Sequence, residues 1–154
     1  MNSITISRVE SVAEVNKMLV DFNGVFKPPL EERISDFKLY AQKLVEKGYV
    51  YIAMSDSEIV GFIAFYANDS ISNTGYLTQI AVKQNCKING VGYELMRHFE
   101  RISCESGMKI LKLEVSNYNN HAINFYQRSG YEYYGKATET TIYMAKNILN
   151  TEVR

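Results

Sequence analysis

Two stretches of this sequence have residue types and spacings suited to chemistry. The first is Lys87-Ile88-Asn89-Gly90-Val91-Gly92. Glycine has no Cβ, so backbone N–H groups beside it can crowd around an anion. The first turn of a helix leaves its N–H groups unpaired and carries the positive end of the dipole. A glycine-rich entry to a helix therefore suits a phosphate or pyrophosphate. Lys87, with Lys83 nearby, adds positive charge. The same glycines also serve as a plain tight entry to a helix. The dinucleotide fingerprint GxGxxG is not met, because Leu95 stands where its third glycine belongs. No Gly-Lys-Ser/Thr of a Walker loop occurs. The second stretch runs from Asn119 to Tyr126. Asn119 suits a helix N-cap, and Tyr126 falls two turns later on roughly the same face. Tyr126 is either a phenol aimed at a cleft or a core tyrosine with its hydroxyl on a carbonyl.

The surrounding pattern supplies elements to hold these residues. Ile4 to Val9 alternates as a half-buried strand does. Ser11 and Glu14 have capping-box spacing, and Val12, Val15, Leu19 and Phe22 mark one face of the helix that follows. Asn23-Gly24 ends it, and Phe26-Lys27-Pro28-Pro29-Leu30 forms a stiff connection. A second helix is expected from Glu31 to Lys47, with Ile34, Phe37, Leu44 and Val45 inward and Gly48 as its stop. Tyr49 to Met54 and Ile59 to Ala67 read as a hairpin. Gly75 to Val82 is a strand leading through the glycine loop into a helix striped by Val91, Leu95, Phe99 and Ile102. Ile110 to Val115 is a strand, Asn119 to Ser129 a short helix, and Tyr131 to Tyr134 and Thr140 to Ala145 are closing strands. This order predicts an α/β chain with a mixed central sheet and helices on both faces.

Composition narrows the class. The chain has 154 residues, 17 Lys+Arg against 17 Asp+Glu, and 46% hydrophobic residues. That length suits one domain, 1–154, with a substantial core. Neutral charge gives no footprint for nucleic acid, and no basic run suggests a membrane surface. No apolar leader or membrane-span-length run appears, so a soluble, cytoplasmic protein is expected. Cys86 and Cys104 lack CxxC spacing and a neighbouring His cluster, which favours two reduced thiols over a metal site or disulfide. His98 reads as a boundary residue of its helix, and His121 as an exposed residue of a first turn.

Three segments together resemble the GNAT superfamily of acyl-CoA-dependent N-acetyltransferases. They are the strand Tyr76-Leu77-Thr78-Gln79-Ile80-Ala81-Val82, the loop Lys87-x-x-Gly90-x-Gly92, and the helix Asn119-x-x-Ala122-x-x-Phe125-Tyr126-x-x-x-Gly130-Tyr131. The likeness spans about Gly75 to Tyr134, and Lys87 stands where the family usually has Gln or Arg. The resemblance implies that Lys87, Ile88, Asn89, Gly90, Val91 and Gly92 hold the CoA pyrophosphate. It implies that Ile80, Ala81 and Val82 pair with the pantetheine amides, that Asn119 contacts the cofactor arm, and that Tyr126 approaches its sulfur. It also implies central parallel strands that splay apart. Acetyl-CoA is then the acyl donor, with no metal.

Acetyl transfer needs a neutral amine, hence a base acting directly or through water. Many relatives carry a carboxylate on the strand that here has Thr78 and Gln79. Some carry it where Glu114 stands, so Glu114 is the candidate base, the alternative being a solvated or ion-paired strand residue. A thiol has a pKa near 8.5 and a tyrosine near 10, so Tyr126 can stabilise or protonate the leaving sulfur. Phe26 and Pro29 fall where relatives build a wall of the acceptor site, and Tyr133 is a further candidate for lining it. The resulting expectation is transfer of an acetyl group to a primary amine of a small molecule, in a ternary complex, by a monomer or homodimer. The alternatives are a silent acyl-CoA-binding domain, or an acetyltransferase acting on a protein N-terminus or lysine.

Overall fold

The computed structural model describes residues 3–148. Its strands are β1 (Thr5–Arg8), β2 (Tyr49–Ser55), β3 (Glu58–Asp69), β4 (Thr74–Val82), β5 (Ile110–Ser116), β6 (Glu132–Lys136) and β7 (Thr141–Asn147). Its α-helices are α1 (Val12–Phe22), α2 (Phe37–Lys47), α3 (Val91–Glu105) and α4 (Asn120–Arg128). The strands form one sheet in the order β1-β2-β3-β4-β5-β7-β6. Among the described residues, only β4 and β5 pair in parallel; the other neighbours are antiparallel. The mixed sheet with helices on both faces is therefore as the sequence pattern predicts.

Local chemistry sets the helix ends. The Ser11 hydroxyl accepts from the Glu14 N–H at 3.3 Å and starts α1. The Asn119 side-chain oxygen accepts from the Ala122 N–H at 3.1 Å and starts α4. The helix expected from Glu31 does not form as one piece. Leu30–Glu32 is a 3-10 turn, and α2 begins at Phe37. Asp36 is the cause: its backbone is extended and its carboxylate accepts from the Leu39 N–H at 3.0 Å. That bond satisfies an orphan donor only if the helix starts there. Of the side chains expected inward on this segment, Leu44 is fully buried, while Ile34, Phe37 and Val45 are half-buried.

Two apolar clusters flank the sheet. On one face, Val15, Met18, Leu19 and Phe22 of α1 and Ala41 and Leu44 of α2 pack on Val50, Phe62 and Ala64. On the other, Val91, Leu95 and Phe99 of α3 and Tyr126 of α4 pack on Ile63, Phe65, Leu111 and Leu113. Gly92 lets α3 approach α4: a Cβ there would sit 3.1 Å from the Phe125 ring.

A polar anchor holds the C-terminal end of α4. The buried Glu100 carboxylate accepts from the Tyr131 hydroxyl at 3.1 Å and the Lys146 ammonium at 3.2 Å. Lys146 also donates to the Ser129 carbonyl at 3.0 Å. Burial and the adjacent carboxylate push the Tyr131 phenol well above its ordinary pKa, so it remains a donor. A largely desolvated pair is costly to break from one side. Glu100→Gln keeps the shape but leaves the ammonium without its anion. It is expected to lower stability by about 1–3 kcal/mol in urea unfolding; unchanged stability would show that solvent already neutralises this pair.

Candidate active site

Parallel pairing of β4 with β5 runs from Thr74–Ile110 to Leu77–Leu113 and stops there. Beyond it, β4 keeps only β3 as neighbour, and β5 keeps only β7. The divergence coincides with an irregularity in β4. Leu77 pairs with Phe65 and Gln79 with Ala64, so Thr78 is an extra residue in the ladder. Such a bulge bends its strand and increases its twist. It also exchanges the faces. Leu77 packs toward α3, but so do Ile80 and Val82, while Ala81 joins the α1–α2 cluster. The edge of Ile80, Ala81 and Val82 toward β5 is thereby left without a strand partner.

The glycine loop lies at the C-terminal end of this opened strand. Gly90 is the N-cap of α3 with φ at 84°, and no side chain caps the turn. A non-glycine residue is strained in that conformation. Among the described residues, no loop or turn backbone bond uses an N–H from Lys87 to Tyr93 as donor. The first N–H groups of α3 fall in the turn that leaves donors without an intrahelical acceptor. An added Cβ at Gly90 would meet nothing within 4 Å, so the glycine faces open space. Asn89 and Lys87 are exposed, Ile88 is half-buried against the core, and Val91 is buried. Lys83 is directed elsewhere, its ammonium 5.3 Å from the Phe22 ring on the α1 side.

Tyr126 sits on the α3–α4 side of the opening. Its ring lies 5.5 Å from that of Phe125 and 6.3 Å from that of Tyr131. Burial alone pushes its phenol up to about 12. A phenol this weakly acidic keeps its proton at neutral pH and acts as a hydrogen-bond donor. Asn119 has committed its side-chain oxygen to the α4 cap, which leaves its NH₂ group for any ligand.

Glu114 points to the opposite face, where β5 alternates Lys112 and Glu114 against inward Leu111, Leu113 and Val115. Its carboxylate is exposed and accepts from the Thr141 hydroxyl at 2.7 Å. Burial, and secondarily the nearby Glu114, Tyr143 and Tyr40, push the Tyr76 phenol up to about 12. Across the face, the Tyr40 hydroxyl lies 2.8 Å from the Thr78 hydroxyl and accepts from the Gln79 amide at 3.2 Å. The Gln79 oxygen accepts from the Arg33 guanidinium at 3.3 Å. Phe26 stands beside them, its ring 6.1 Å from that of Phe62 with Arg33 over it at 5.7 Å; Pro29 is half-buried in the same segment. Tyr133 is not brought to this face. It lies on the outer strand β6, 65% exposed, paired with Met144 of the α3–α4 core. Its neighbour Tyr134 has Lys112 5.7 Å over its ring instead.

The sequence analysis does not single out Arg33 or Tyr40, which sit in no motif, and it notes Gln79 only as standing where relatives carry a carboxylate. The available signal was Gln79, a polar residue in a strand that is otherwise suited to burial. Among the described residues, no group of His, Cys, Asp or Glu side chains could hold a metal ion. Both cysteines are free thiols. No described helix is long and apolar enough to cross a membrane.

Comparisons with known proteins agree with this geometry. The acetyltransferase (GNAT) family model matches residues 14–131. A putative GNAT acetyltransferase from Desulfovibrio desulfuricans superposes with TM-score 0.72 at 20% identity, covering 95% of this chain and 99% of its own. The PaiA N-acetyltransferase of Thermoplasma acidophilum, solved with coenzyme A, gives TM-score 0.70 at 20% identity, covering 94% and 99%. A putative streptothricin acetyltransferase from Bacillus anthracis, solved with acetyl coenzyme A, gives 0.61 at 26% identity, covering 69% and 66%. No curated protein matches this chain. With a family match over most of its length and a split sheet ending in a bare glycine turn, this chain belongs to the acetyltransferase (GNAT) family and is an acetyl-CoA-dependent acetyltransferase.

Proposed function

We propose that this protein, a single domain over 1–154 acting in the cytoplasm, transfers the acetyl group of acetyl-CoA to the primary amine of a small molecule by direct attack in a ternary complex. The observation that carries the reading is the placement of Tyr126 and Glu114 on opposite faces of a sheet that parts between them. A donor entering from the α3–α4 side and an amine entering from the other can then meet through the gap.

Each residue has a distinct task in this reading. The uncommitted amides of Lys87 to Gly92 bind the pyrophosphate at the positive end of α3. The free edge of Ile80, Ala81 and Val82 pairs with the pantetheine amides as a strand would. The NH₂ group of Asn119, whose oxygen is used by the α4 cap, donates to the same arm. When bound, acetyl-CoA supplies a thioester whose carbonyl carbon accepts the amine. An N–H of the free β4 edge donates where charge develops on the carbonyl oxygen. Glu114 takes the ammonium proton directly or through water, which frees the lone pair for attack. As the new C–N bond forms and the C–S bond breaks, the nitrogen gives up its second proton to the departing sulfur, directly or through water, and Tyr126 donates a hydrogen bond to that sulfur. Its raised pKa makes that bond, rather than full proton transfer, its main contribution.

Tyr126→Phe should lower kcat by about 10²-fold with CoA affinity retained, measured as free thiol released from acetyl-CoA; unchanged turnover would remove the hydroxyl from the mechanism. Glu114→Gln should flatten the acid limb of the pH–rate profile, and a limb that persists unshifted would assign the base elsewhere. Gly90→Val forces a branched residue to φ near 84°. It should weaken CoA binding about tenfold or more in calorimetry. Wild-type affinity in that variant would place the pyrophosphate away from this turn.

A further inference from the structure

The acceptor face holds a cation that the reaction itself does not use. Arg33 lies in the segment between α1 and α2, on the face that also presents Glu114. Its guanidinium is fixed from two sides, by the Phe26 ring at 5.7 Å and by the oxygen of buried Gln79 at 3.3 Å. Gln79 is fixed in turn, its NH₂ group donating to the Tyr40 hydroxyl, which also meets Thr78. A guanidinium carries five N–H donors, and one bond to Gln79 leaves most of them uncommitted. Among the described residues, none of the ion pairs includes Arg33, although Glu31 and Glu32 precede it in the chain. A positioned arginine with no carboxylate of its own is matched to a planar or tetrahedral oxyanion.

We infer that the acceptor carries, besides its amine, a carboxylate or phosphate that Arg33 receives while Glu114 receives the ammonium. This rests on the acyl-transfer reading above and adds the class of acceptor to it. Arg33 and Tyr40 both bond Gln79, and Tyr76 is close enough to feel both Tyr40 and Glu114, so the guanidinium and the carboxylate share one face with these two phenols. Arg33 is exposed, so an amine lacking the anion leaves the guanidinium to water and forgoes the charge-assisted pair, which favours the acceptor that carries the anion. Holding the anion also fixes the direction in which the amine points.

Two matched pairs of acceptors test this: tyrosine against tyramine, and phosphoethanolamine against ethanolamine, each assayed for thiol release at saturating acetyl-CoA. The wild-type enzyme should favour the anionic member of at least one pair by tenfold or more in kcat/KM. Preference within the first pair alone identifies a carboxylate, and within the second alone a phosphate. Arg33→Gln should collapse that ratio through KM, and Arg33→Lys should restore part of it. A purely structural role for Arg33 would change stability and leave the ratio standing. Turnover with no preference for the anion, or a preference that survives Arg33→Gln, overturns the inference and leaves the acyl-transfer reading intact. Tight CoA binding without thiol release from any of the four amines overturns both.

Discussion

One extra residue in a strand governs this molecule. Thr78 has no ladder partner opposite it on β3, so β4 turns away from β5 just past Leu77. Without that bulge the two central strands would continue to pair and the sheet would be closed from edge to edge. With it, main-chain groups of Ile80 to Val82 stand open at the centre of the fold. A sheet interior offers such unpaired groups only where something else is to pair with them. The faces carrying Tyr126 and Glu114 lie on either side of that parting.

The rest of the architecture supports the two rims of that passage. On one side, α3 begins at a left-handed glycine, so its first N–H groups stay uncapped beside the end of β4. Gly92, one turn position on, lets α3 pack against Phe125 of α4, the residue next to Tyr126. The Glu100–Lys146–Tyr131 anchor closes the far end of α4. These contacts are apolar or internally neutralised, and they hold Tyr126 in a dry setting that raises its pKa. On the other side, among the described residues, no α-helix covers β5, β7 and β6 in the way that α1 and α2 cover β2 and β3. The half-buried phenols of Tyr76 and Tyr143 and the exposed Glu114 remain there as a polar floor. Arg33, Phe26 and Tyr40 form the adjoining wall.

Much of this was legible in the residues because it depends on neighbours close in the chain. Ser11 with Glu14, Asn119 with Ala122, and the apolar stripe of α3 are local patterns, and the structure bears them out. The glycine turn was legible too, since only glycine adopts φ near 84° without strain. The start of α2 was misplaced because the apolar period continues backward from Phe37 to Ile34. Asp36 stops the helix through a single side-chain bond, which the period does not register.

Sequence alone determined the order of the main elements, the Ser11 and Asn119 caps, the glycine turn before α3 and the family resemblance, since each is written in residues within a few positions of one another. Tertiary structure alone decided which side of the sheet each candidate residue faces. That choice turns on the register between β3 and β4, where one unpaired residue exchanges inward and outward positions for the remainder of the strand. It also decided that Tyr133 lies away from the face carrying Glu114, and that Arg33, Gln79 and Tyr40 assemble on that face from three separate segments. Contacts between residues some forty positions apart follow from packing of whole elements, and no local pattern encodes them.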